Sequence, residues 1–123
     1  MNAIALYVAA GLTALWGVAH LFATGGVVRG FGEITADNKR IITMEWIVEG
    51  VALLSIAAFT VSGTVTGSGA SGPLPVFAVA MGTLIILAIV SLFTGFRVAF
   101  LPFRLCPLIF GASAALIVWG AWL

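Results

Sequence analysis

The sequence predicts an all-α integral membrane protein: a four-transmembrane-helix antiparallel bundle with both termini on the extracytoplasmic side. Three observations predict it. Of 123 residues, 63% are hydrophobic and only 7% are charged, whereas soluble globular chains carry about 25% charged residues. With a mean hydropathy of +1.27, so much apolar surface calls for lipid as its solvent. Four segments reach the roughly 20 apolar residues that a helix needs to cross a hydrocarbon core about 30 Å thick. Finally, every basic residue falls in or beside two of the three connections.

The four spans cover about 3–23, 41–62, 75–96 and 105–123, and the whole of 1–123 reads as a single transmembrane domain. Helices satisfy their own backbone groups, which is what a lipid environment demands. The first span, opening "MNAIALYVAAG", lacks the basic stretch of a cleaved signal peptide and reads as retained. Thr35 or Asp37 is placed to cap the second helix. Pro75 and Pro107 suit the first turns of the third and fourth, where a missing N–H costs little. Trp119 and Trp122 suit an outer interfacial belt. The Gly/Ser-rich run from Gly63 to Leu74 reads as a flexible outer connector.

Orientation follows from Arg29, Lys39 and Arg40 in the first connection and Arg97 and Arg104 flanking the third. Basic residues mark cytoplasmic loops, so these connections face the cytoplasm, and the expected location is the cytoplasmic membrane of a bacterium. The first connection, "TGGVVRGFGEITADNKR", is long for a helix–helix link. It is expected to fold back as a lid or short interfacial helix, or to lie against anionic lipid through its basic residues.

The second span carries the residues that need explaining. In "RIITMEWIVEGVALL", Glu45 and Glu49 are four apart and share a helical face. For a helix starting near Ile41 they lie roughly 6 Å and 12 Å along it. A charge that deep costs on the order of 3 kcal/mol, so it finds a partner, faces the bundle interior or takes up a proton. At similar depth lie His20 and Trp16 on the first helix, Trp46 and Asn38 on or near the second, and Arg97 and Arg104 at the ends of the third and fourth. Each has a plain structural reading: snorkelling arginines, Glu45 paired with Arg40 or Arg97, packing tryptophans, a hydrogen-bonded histidine. Their joint occurrence points to a cytoplasm-facing polar pocket for a lipophilic small molecule.

Two carboxylates in unequal surroundings divide acid and base roles. In this reading Glu49 is the protonated acid, Glu45 the base and His20 the relay. Arg97 and Arg104 are charge partners or anion clamps, and Trp16, Trp46 and Asn38 are binding residues. The set suits isomerisation, cyclisation, dehydration or epoxide opening without a cofactor or metal. Haem or iron at His20, with Met44 or the two glutamates as further ligands, is a minor alternative. A proton-coupled small-molecule transporter using Glu49 and a non-catalytic accessory membrane subunit are the others. The lone Cys106 excludes an intrachain disulfide, and a net charge of +1 gives no reason to expect nucleic acid. The small-residue patterns "AVAMG" and "GASAA" (Ala78 to Gly82, Gly111 to Ala115) favour close helix approach, and a homo-oligomer is expected in the lipid bilayer.

Overall fold

A computed structural model describes residues 1–67 and 74–123, and the chain is all-helical there. Four long helices carry it: α1 (Ala3–Gly30), α2 (Ala36–Thr66), α3 (Leu74–Phe93) and α4 (Leu101–Trp122). One turn of 3-10 helix, Gly95–Arg97, links the last two. All four are long and apolar enough to cross a membrane. Residues 68–73 of the expected outer connector lie outside the described residues.

The charged end differs from the sequence expectation. α1 continues to Gly30 and α2 already starts at Ala36, so the 24–40 connection shrinks to 31–35 and forms no separate lid or interfacial helix. The reason is visible along α1. Thr24 and Val28 are buried like Thr13, Gly17 and His20 before them, so the packed stripe keeps its helical spacing through Gly25 and Gly26. The chain leaves α1 at Gly32, whose φ of +71° glycine adopts without a Cβ clash. Thr35 then caps α2, its hydroxyl accepting from Asn38 N at 3.2 Å, with Asp37 in the first turn. At 1.5 Å per residue α1 and α2 are about 42 and 46 Å long. Both lengths exceed the roughly 30 Å of a hydrocarbon core, and Arg29, Lys39 and Arg40 lie at the connected ends of the two helices.

α4 begins at Leu101, so Pro102 takes the first-turn position and Pro107 lies inside the helix, not at its start as expected. Pro107 has no N–H to offer the Phe103 carbonyl. Gly95 packs at that carbonyl, and a Cβ there would lie 3.4 Å from the oxygen.

α1 packs against α2 and α4, and α3 packs against α4 and more sparsely α2. The core is Leu6, Ala9, Leu53, Phe77, Leu84, Phe110 and Ile117 with small residues between them. At one end the two termini meet: Asn2 caps α1, and its backbone N–H donates to Gly120 O at 2.7 Å. Trp119 and Trp122 are exposed at this end. At the other end lie Arg29, Lys39, Arg40, Arg97 and Arg104. Between α2 and α3 the seam opens into an apolar cavity of about 450 Å³, bordered by Ile56, Phe59, Val76 and Val79. Gly82 and Gly111 have nothing within 4 Å of their Cβ positions, so the two small-residue patterns do not join helices inside this chain. The close crossing lies elsewhere, at Gly17 and Gly50.

Candidate functional site

The site grows out of that crossing. A Cβ on Gly17 would lie 2.9 Å from Gly50 O, and one on Gly50 would lie 3.0 Å from Gly17 O. The two backbones therefore touch, one turn from His20 on α1 and one residue from Glu49 on α2. This draws His20 Nε2 to 3.4 Å from Glu49 Oε1. His20 is buried, while the Glu49 side chain is 39% exposed.

The rest of the histidine is held from two sides. Its Nδ1 lies 3.0 Å from the Trp16 carbonyl oxygen. Its ring stacks on Trp46, with centroids 4.8 Å apart and planes at 23°. Trp46 meets Phe103 of α4 edge-on at 5.5 Å. Trp16 Nε1 donates to Cys106 Sγ at 3.3 Å, which ties α1 to α4 at the same level. Thr24 turns its hydroxyl back to His20 O at 2.9 Å and so adds no free polar group. No hydrogen-bond partner for the Trp46 indole N–H is present among the described residues.

These contacts fix the protonation logic. A carbonyl only accepts, so His20 Nδ1 carries a hydrogen, and Nε2 is the second site. An unprotonated Nε2 and an ionised carboxylate would present two lone pairs to each other at 3.4 Å among apolar groups. One proton between them removes that repulsion, whether it rides on nitrogen or oxygen. With that proton the dyad would carry no net charge. The 3.4 Å separation is slightly beyond an ordinary hydrogen bond, a spacing common in ligand-free sites that tighten on binding. Both His20 nitrogens are engaged, and Glu49 is the more exposed member of the pair.

Beside the dyad lies an apolar groove between α1 and α4. Its deeper part, about 370 Å³, is lined by Trp16, Ala19, His20, Trp46, Phe103 and Cys106 among others. A shallower part of about 720 Å³ leads on past Gly26, Gly30, Phe31 and Val98. Ala23, Val27, Trp46, Phe100 and Phe103 line both parts, which makes them one channel. Small residues along α1 (Ala19, Ala23, Gly26, Gly30) leave the space. Aromatic rings from α2, α4 and the two short connections close around it.

The structure brings together His20, Glu49, Trp16 and Trp46 of the residues singled out from sequence. It does not bring Glu45, Asn38, Arg97 or Arg104 to them. Glu45 and Asn38 are exposed. Arg97 is exposed, and the exposed Arg104 lies over the Phe96 ring at 5.3 Å. The ion pairs among the described residues are His20–Glu49 and the solvent-exposed Asp37–Arg40. Met44 is exposed, and no three His, Cys, Asp or Glu side chains converge on a metal position among the described residues. Cys106 and Phe103 were not foreseen. The available signal was the level of Cys106 and Phe103 at the start of the fourth helix, opposite Trp16. No known protein family, curated protein or solved structure matches this chain.

Proposed function

We infer that this is an integral membrane protein, with its termini on the extracytoplasmic side, that admits a lipophilic small molecule to the groove at its basic, cytoplasmic end. There the His20–Glu49 dyad moves a proton to or from the bound molecule. One observation carries the reading: His20, its Nε2 3.4 Å from Glu49, stands in the wall at the deep end of an apolar channel whose lining holds no other ionisable group but Cys106. Proton transfer in a dry site is the chemistry such a pair serves well.

Within the dyad the His20 ring lines the groove, and Glu49, outside the lining, shares a proton with its Nε2. His20 is anchored by the Trp16 carbonyl and the Trp46 ring. Isomerisation, cyclisation, dehydration and epoxide opening all need one acid–base group at the reacting atom, here the His20 ring backed by Glu49, with aromatic walls to receive developing positive charge.

The test is the content of the groove. Ala23 is exposed and lines both parts of the channel, so Ala23→Trp fills it without touching the core. Solvent extracts of protein purified in a maltoside detergent are compared by mass spectrometry. Wild type is expected to carry a lipophile that Ala23→Trp lacks, and whatever lipophile Glu49→Gln retains is expected to be unconverted. Equal contents in wild type and Ala23→Trp would overturn the reading.

A further inference from the structure

We propose that the groove takes a lipophilic cation, a protonated or quaternary amine on an apolar tail, and that its binding displaces the proton of the His20–Glu49 dyad. This rests on the reading of the groove as a lipophile site and adds the charge of the ligand and its coupling.

The argument is one of charge. No Lys, Arg, Asp or Glu side chain lines either part of the channel. Trp16, Trp46, Phe31, Phe100 and Phe103 do, and aromatic rings attract cations. An anion entering here meets no opposing charge, because the arginines that were candidate clamps lie outside. A cation meets a dyad that is neutral only while it keeps its proton. Once the proton leaves to water at the basic end, one negative charge remains on the pair, 3.4 Å behind the His20 ring edge. That charge needs a partner in a dry site, and the ligand supplies it. One positive charge replaces another, and the site stays neutral throughout.

Nothing else nearby competes for the role. Glu45, one turn toward the basic end of α2, is exposed. On α4, Cys106 is occupied by the Trp16 N–H, and Arg104 lies over Phe96. On α3, Ser91 gives its hydroxyl to Leu87 O and Ala88 O. Arg97, between α3 and α4, is exposed. No other charged group lies within ion-pair distance of either dyad member among the described residues. The channel also has length for a tail: from Trp16 to Gly30 α1 rises about 21 Å.

The experiment uses two esters of one shape, decanoylcholine and 3,3-dimethylbutyl decanoate, in which carbon replaces the quaternary nitrogen. Each is titrated into the purified full-length protein by calorimetry, in two buffers of different ionisation enthalpy, with Ala23→Trp as the blank for micelle partitioning. The cation is expected to bind wild type at least about tenfold more tightly than its isostere. It is also expected to release about one proton per molecule bound, as a single shared dyad proton requires. Glu49→Gln is expected to abolish the release and most of the preference. The wild-type proton count needs no variant, so a poorly folding Glu49→Gln does not weaken the test. Equal binding of both esters without proton release would overturn the cation proposal and leave the lipophile reading standing. Binding to wild type no stronger than to Ala23→Trp, for both esters, would overturn the groove assignment as well.

Discussion

The two ends of the bundle solve the same packing problem in opposite ways. At the terminal end the helices close. Leu6 is fully buried against Gly120, and the Asn2 N–H is clasped to the Gly120 carbonyl. The buried Thr60 and Thr64 return their hydroxyls to the carbonyls one turn back. No charged side chain is present there. Midway along the bundle α1 and α2 touch through glycine, at Gly17 and Gly50, and from this crossing toward the basic end the bundle opens into a channel. Glycine thus serves closure at one end and the placing of a dyad where the channel begins. In lipid, helices gain no hydrophobic drive from one another and rely on close packing, so both crossings matter for stability and, under the proposed function, only one for chemistry.

Substitution of the two glycines tests that division and carries the largest expected effect. Gly17→Ala sets a methyl 2.9 Å from a backbone oxygen, and Gly120→Ala sets one 2.6 Å from Leu6 Cγ. Neither neighbour is free to turn aside, and overpacking of this kind costs about 1–3 kcal/mol. Thermal unfolding in detergent is expected to fall for both. Only Gly17→Ala, which forces α1 from α2, is expected also to lose the groove ligand. Loss of ligand in Gly120→Ala, or its retention in Gly17→Ala at reduced stability, would show that the two ends are not separable.

The same contrast explains what could be read from the sequence. Four helices, their order and the polar end were legible because apolar length and charge placement are one-dimensional signals. Depth was legible too: His20, Trp16, Trp46 and Glu49 do meet at one level. Rotation about the helix axis was not. Residues four apart are offset by about 40°, enough to leave Glu45 exposed while Glu49 stands at the edge of the buried stripe beside Leu53 and Ala57. Arg104, in the first turn of α4, turns to the Phe96 ring, and Arg97, in the 3-10 turn before α4, is exposed. The 24–40 segment misled through its glycines, which usually punctuate helices; tertiary packing at Thr24 and Val28 overrides them. The glycines that do set the site, Gly17 and Gly50, each adjoin or lie one turn from a polar residue in an apolar span.

A smaller effect sharpens the picture of the closed part. The Ser113 hydroxyl is fully buried and is the one such side-chain polar atom without a hydrogen-bond partner among the described residues. A buried, unpaired hydroxyl costs about 1–3 kcal/mol. Ser113→Ala is therefore expected to raise stability by about 1 kcal/mol, with groove binding unchanged. A loss of stability would mean that an internal water satisfies the hydroxyl, and that this region is less dry than its packing implies.

The smallest expected effects are the most selective between charge models of the open end. Glu45→Gln, Arg97→Gln and Arg104→Gln alter three exposed side chains that sequence position alone would place in the pocket. Surface changes of this kind stay within about 0.5 kcal/mol, and Arg104 loses only an exposed cation–π contact of about 0.5–1 kcal/mol. Ligand affinity and proton release are expected to match wild type in all three. If the ligand were an anion held by the arginines, Arg97→Gln or Arg104→Gln would weaken it while Glu49→Gln would not. If Glu45 were the base, Glu45→Gln would stop conversion with binding intact. Because none of these groups lies within ion-pair distance of the dyad, a null result in all three, set beside loss of proton release in Glu49→Gln, would confine the chemistry to one proton on one pair.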